Sequence, residues 1–178
     1  MIGGGASLKN FDFSRLKNEI TIGINYAFKF FDPTYLIWCD ERVYNQNKEE
    51  IDRLKSIKYA PSWWIGGHWQ DVKGFQITTI FYGKEGLVKG LFGGKPEACW
   101  MTGTLAISLA SALGYSPIYL LGFDGDKTHF HDYSIDTDLS AYNSWYEEFK
   151  GKAEIYNCSL GSTIETFPKI GIDKILDG

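Results

Sequence analysis

Short, evenly apolar runs alternate with amphipathic stretches along this chain. ITIGINYAF (20–28) and YLIWCD (35–40) read as strands buried on both faces, separated by the breaker Asp32-Pro33. ERVYNQNKEEIDRLKSI (41–57) sets Val43, Ile51, Leu54 and Ile57 among charges, the pattern of a surface helix. KYAPSWW (58–64) begins another strand, and FQITTIFYG (75–83) is a further one. TGTLAISLASALGY (102–115) is the clearest helix, with Thr102 as its cap, Leu105, Leu109 and Ala112 on one face and Gly114 as its stop. PIYLLGFD (117–124) is the most convincing buried strand. A helix with an aromatic face follows at about 138–150, then a last strand, AEIYNCS (153–159), and a short amphipathic turn, FPKIGIDKIL (167–176).

Strands alternating with helices imply an α/β fold with a mostly parallel sheet and helices on both faces. At 178 residues the chain suits one domain. A glycine- and aromatic-rich insertion occupies about 60–98. Within it GKEGLVKGLFGGKPEA (83–98) carries five glycines and a proline, a long connection of the kind usually kept for function. In such sheets ligands bind beyond the carboxyl ends of the strands. That rule directs attention to residues 3–7, Asn25, Asp40, Thr102-Gly103 and the segment from Asp124 onward.

Composition narrows the field. A net charge of −4 argues against a large basic surface, so charge indicates neither nucleic acid nor an anionic membrane as partner, while a local basic groove and a nucleic-acid acceptor stay open. The three cysteines, Cys39, Cys99 and Cys158, are isolated and odd in number, and read as buried free thiols. No run approaches the ~20 apolar residues of a membrane span. A cytoplasmic protein is the expectation.

Several strand ends carry usable chemistry. In GGGAS (3–7), Gly3, Gly4 and Gly5 let backbone N–H groups approach a phosphate, and Ser7 adds a hydroxyl. The run is neither GxGxxG nor a Walker loop, so it specifies no cofactor. Asn25 offers an amide donor and acceptor to a base, sugar or phosphate. Asp40 suits ribose hydroxyls or a helix cap equally. Thr102 and Gly103 open a helix, where the dipole favours an anion. GFDGDKTHFHDYS (122–134) is the richest stretch. Asp124 and Asp126 form an Asp-x-Asp suited to a divalent ion, or an ordinary turn. His129 and His131 share a side if the segment is extended; either suits a general base for a hydroxyl, oriented by Asp132 or Asp124, or a structural residue, or a zinc ligand. WWIGGHW (63–69) reads as a satellite core or as an aromatic wall for a flat ligand.

Taken in order, GGGASLKNFDFSRL (3–16), the strand-end Asn25, MTGTLAISLASALGYSPIYLLGFD (101–124), THFHDYS (128–134) and NCSLGSTIETFPKI (157–170) resemble glycosyltransferase family 42 sialyltransferases and the related 6-hydroxymethylpterin pyrophosphokinase (MptE-like) proteins. They are most similar to the small phage-encoded members. The resemblance implies a single-domain, Rossmann-like three-layer sandwich. Residues 3–7 and Asn25 would lie around the nucleotide, with Thr102-Gly103 near its phosphate or ribose. It also implies a transferase moving a sugar from a nucleotide-sugar to a hydroxyl acceptor, with His131, or alternatively His129, as base and no cofactor. The pyrophosphokinase relatives imply instead ATP and Mg²⁺, held on Asp124 and Asp126. A nucleotide-binding phage protein without catalysis is the third reading. The chain departs from the sialyltransferases at Ala6, where they have proline, in its H-F-H spacing, and in a 124–134 loop too short for their tyrosine-bearing lid, for which Tyr133 is the candidate substitute.

Overall fold

The computed structural model describes residues 1–61, 77–80, 101–126, 129–131 and 138–177. WWIGGHW, the 83–98 connection, Cys99, Asp132 and Tyr133 lie outside them. Among the described residues are six short strands, β1 (Ile22–Ile24), β2 (Tyr35–Ile37), β3 (Ile57–Pro61), β4 (Ile77–Ile80), β5 (Ile118–Leu120) and β6 (Ile155–Asn157). Three α-helices accompany them, α1 (Glu41–Arg53), α2 (Thr102–Ala112) and α3 (Asp173–Leu176). β1 to β4 form one parallel sheet in chain order, and β5 pairs parallel with β6 in a second.

Ile2 joins the two sheets. Its N–H donates to the Ile22 carbonyl at 2.9 Å, and its own carbonyl accepts from the Ile24 N–H at 3.0 Å. On the other side the Gly3 N–H donates to Leu121 at 2.8 Å, and the Leu121 N–H to Met1 at 2.9 Å. A single residue, bridged in parallel to Gly23 and to Leu121, does the job of a strand.

Side chains alternate cleanly across these strands, as a period of two requires. Ile22, Ile24, Ile37, Tyr59, Ile118, Leu120 and Ile155 pack on one face against Leu105, Ala106, Ile107 and Leu109 of α2 and against Tyr146 and Phe149. Leu36, Trp38 and Ala60 point the other way, onto Val43, Tyr44 and Ile51 of α1. Beside that second cluster Ile2 and Leu121 pack with Leu8 and Leu16, joined at the edge by Ile172 and Leu176. Both faces are therefore covered, which accounts for strands without polar alternation.

Several element boundaries differ from the sequence reading. The run expected as a strand over 20–28 ends after Ile24, because Asn25 takes φ +51° and the chain turns into a 3-10 segment, Asn25–Lys29, that buries Ala27 and Phe28. Ile57 opens β3 instead of closing a helix, and it is exposed. α1 ends at Arg53 and is kinked at Asn47, whose Nδ2 donates to the Val43 carbonyl. The 138–150 helix is a 3-10 segment, Ser140–Phe149. Thr102 does not cap α2: Met101 holds that position with no side-chain bond, and Thr104 Oγ1 donates to its carbonyl at 2.9 Å. The far end follows the sequence, since Gly114 at φ +82° donates to Ser111 while Tyr115 N–H reaches Ala110, a Schellman ending. Cys39 and Cys158 are free thiols but only half-buried. Burial pushes the Cys158 thiol up to about 11. Among the described residues no helix is long and apolar enough to cross a membrane.

Candidate functional site

A cavity of about 220 Å³ opens at the carboxyl ends of β1, β5 and the Ile2 bridge. Its walls come from four places that the chain keeps far apart. Gly3, Gly4 and Gly5 follow Ile2; Ile24, Asn25 and Tyr26 follow β1; Met101, Thr102 and Gly103 open α2; and residues 122–126 follow β5. His129 and His131 close one side, while Asn143, Tyr146 and Ile164 close the other. A larger cavity of about 410 Å³ lies at the opposite end of the strands. Its lining mixes apolar residues such as Ile20, Ile22, Ile118 and Leu176 with Asn18, Glu19, Thr21, Tyr115 and Ser116. The histidines and the strand-end candidates of the sequence line the smaller one.

Histidine placement follows from local pairing. His129 bridges antiparallel to Gly5, and Phe130 N–H donates to the Gly4 carbonyl at 3.1 Å. The extended segment sets the two imidazoles 5.8 Å apart, centre to centre, over Gly4. A Cβ on Gly4 would stand 3.1 Å from His131 Nε2 and 3.2 Å from His129 Cδ2, so any side chain there would crowd both rings. His131 also stacks on Phe30 at 5.8 Å and meets the edge of Tyr26 at 6.0 Å, which fixes its ring plane.

The glycine loop is held by the protein itself. The Gly3 and Gly5 amides donate to the Leu121 and Gly122 carbonyls, which leaves the Gly4 amide as the one of the three without a partner among the described residues. Gly5 lies so close to Asp124 that a Cβ would sit 2.4 Å from its carboxyl carbon. Ser7 donates to Asp124 from its backbone at 2.7 Å and from its hydroxyl at 2.6 Å. Ser7 therefore clamps Asp124 and does not itself line the cavity. Asp126 lines the cavity beside it. Among the described residues no group of three or more His, Cys, Asp or Glu is arranged to hold a metal ion. A divalent ion drawing on Asp124 would compete with both Ser7 bonds.

Asp40 stands apart from the cavity. Its carboxylate accepts from the Arg42 N–H at 2.9 Å and pairs with the Arg42 guanidinium, capping α1. Hydrogen bonding from Arg42 holds its carboxyl below the usual range. Of the sequence candidates, then, the structure gathers Gly3, Gly4, Gly5, Asn25, Thr102, Gly103, Asp124, Asp126, His129 and His131, and leaves out Ser7 and Asp40.

Unsatisfied polar atoms mark the same cavity. Among the described residues, Asn25 Oδ1, His129 Nδ1 and Asn143 Oδ1 are all buried without a hydrogen-bond partner. Buried polar atoms are rarely left so; Trp38 Nε1, Ser108 Oγ and Ser111 Oγ, which do not line this cavity, share that state. Asn25 adds backbone strain, being one of two non-glycine residues at positive φ among those described. No lysine or arginine lines the cavity among the described residues. An anion would rest on the uncapped start of α2, the Gly4 amide and the histidines.

Asn143 and Tyr146 were not singled out by the sequence. Asn143 Nδ2 donates to the Gly125 carbonyl at 3.2 Å and to Thr163 Oγ1 at 2.8 Å. The Tyr146 hydroxyl lies against Gly103, 2.7 Å from where a Cβ would be, and burial raises its pKa. Their signal was present as a spacing: Asn143, Tyr146 and Phe149 recur every third residue, which lines them up on a 3-10 helix.

These features define an α/β protein with a polar cavity at the carboxyl ends of its parallel strands. Set against protein-family models, curated proteins and solved structures, the chain matched none.

Proposed function

We propose that this protein is a glycosyltransferase that moves a sugar from an activated nucleotide-sugar to a hydroxyl acceptor. The observation that carries the reading is the meeting of two histidines with the glycine loop, Asn25 and the uncapped start of α2 in one cavity. A base and an anion cradle then lie side by side. Counting Ile2 as a strand gives the order β4-β3-β2-β1-Ile2-β5-β6, a Rossmann-like sheet whose connections run outward in opposite directions from Ile2 and from β5. The cavity opens at that reversal, where doubly wound sheets take their ligands. Helical segments over both faces make the third layer.

Transfer would proceed by direct displacement. The acceptor hydroxyl gives its proton to His131 Nε2 as its oxygen bonds the anomeric carbon, and the bond from that carbon to the phosphate oxygen breaks. The electron pair leaves with the nucleotide phosphate, whose charge the Gly4 amide and the α2 terminus receive. His129, beside it, is the second candidate for the base. The reading carries a cytoplasmic setting, where activated donors are made.

The test begins with a thermal-shift series over CMP, UDP, GDP, ADP and their sugars, with and without Mg²⁺. A matching nucleotide at one hundred times its dissociation constant stabilises by about 2.7 kcal/mol. Transfer to a hydroxyl acceptor is then measured for His131→Ala and His129→Ala. Loss of ~10²–10⁴-fold in turnover, with nucleotide stabilisation kept, is the expected outcome for the base. Full activity in both variants would sink the assignment. Release of AMP in a Mg²⁺-dependent reaction would mean pyrophosphoryl transfer to an alcohol, and nucleotide binding without turnover a non-catalytic module.

A further inference from the structure

The segment NCSLGST (157–163) follows β6 and takes no part in the transfer chemistry, yet its polar residues are among the most buried in the molecule. Asn157, Ser159 and Ser162 are 0%, 2% and 3% exposed. Burial of so many hydroxyl and amide groups is costly unless each is bonded. They are bonded, and their partners are the two loops that frame the cavity.

The direction of the bonds can be derived. Ser7 Oγ donates its one proton to Asp124 Oδ1 at 2.6 Å, so the 3.0 Å contact between Ser7 and Ser159 must be donated by Ser159. Ser159 Oγ in turn accepts from the Phe123 N–H at 3.2 Å. A single oriented chain thus runs from Phe123 N–H through Ser159 and Ser7 to the carboxylate of Asp124, and closes on the residue next to its start. Chains of this kind strengthen each of their links. Asn157 secures the hub, accepting from the Ser159 N–H at 3.0 Å and donating to the Phe123 carbonyl at 3.1 Å. Ser162 donates to that same carbonyl at 2.7 Å.

We infer that Ser159 is a positioning residue, which sets the glycine loop against the loop after β5 through Ser7 and so fixes the distance between the Gly4 amide and Asp124. Ser159 itself does not line the cavity. Without its hydroxyl, Ser7 loses its donor and the Phe123 amide its acceptor; the two Ser7 bonds to Asp124 and the Gly5 bond to Gly122 then join the loops without a brace from β6.

The test compares Ser159→Ala and the milder Ser7→Ala, at an exposed position, with Ser56→Ala as control. Ser56 is as well buried, at 5%, and its hydroxyl donates to Asp32 at 2.7 Å, away from the cavity. Amide hydrogen exchange over residues 3–8 is measured without ligand. Titration with CMP, UDP, GDP and ADP in turn follows by calorimetry. Both site variants should exchange about tenfold faster over residues 3–8 and bind their nucleotide about tenfold more weakly, while Ser56→Ala changes neither. Wild-type exchange over 3–8 in Ser159→Ala would overturn the inference, as would wild-type affinity in a variant that exchanges faster. The affinity arm rests on the proposed nucleotide site. Should the wild-type protein bind none of the four, that reading falls, and exchange alone decides the role of Ser159.

Discussion

Gly5 shows how much one position constrains. Its φ of −66° is open to any residue, so glycine is required here by space and not by conformation. A methyl group would stand 2.4 Å from the Asp124 carboxyl carbon, and the carboxylate cannot withdraw without breaking its Ser7 bonds. Gly5→Ala should therefore lower stability by about 1–3 kcal/mol, read as a lower denaturant midpoint with an unchanged slope. An alanine protein as stable as the wild type would mean that the loop gives way freely. In the sequence this glycine was legible as one of a run, and a phosphate cradle was the reason suggested for it. The contact that makes it necessary, with a residue 119 positions away, was not. Asn25 is similar: its strand-end place was readable, but its positive φ and buried, unpartnered oxygen arise from what surrounds it.

At the level of elements, Asp40 separates two roles that one sequence position allowed. It caps α1, and its carboxylate is bound to Arg42. Asp40→Ala should cost about 1 kcal/mol of stability, as lost caps do, and leave nucleotide stabilisation as in the wild type. A weakened nucleotide response would return Asp40 to the site. The pH dependence has a definite sign. The folded carboxyl titrates below its unfolded value, so its contribution is full above pH ~4 and is lost as the pH falls through the lowered pKa. At 41% side-chain exposure the pairing is screened by water, and the difference between variant and wild type stays small. The 3-10 segment Ser140–Phe149 makes a complementary point. Its aromatic face was visible in the sequence, whereas its tighter winding accompanies the ties of Asn143 to Gly125 and Thr163.

Across the whole molecule, the connection between the two sheets runs through Ile2, 1% exposed and bonded on both sides. Ile2→Ala removes packing against Leu8, Leu16 and Leu121 and should cost about 2–5 kcal/mol. Circular dichroism and tryptophan fluorescence should still lose structure in one shared transition, since the backbone bridge remains. Two separated transitions would show that the sheets fold independently.

By itself the sequence determined the α/β class and the approximate place of most elements, because apolar runs, helix stops and the clustering of polar residues at strand ends are local signals. It also singled out half of the residues that line the cavity. The tertiary structure alone decided that Ile2 bridges both sheets, that Ser7 clamps Asp124 while Asp40 caps a helix, that Asn143 and Tyr146 line the cavity, and that Ser159 bonds to Ser7 behind it. Each of those outcomes depends on hydrogen bonds or close contacts between segments far apart in the chain. Such pairings are fixed by how the covered faces of the sheets pack, and no local pattern of residues encodes them.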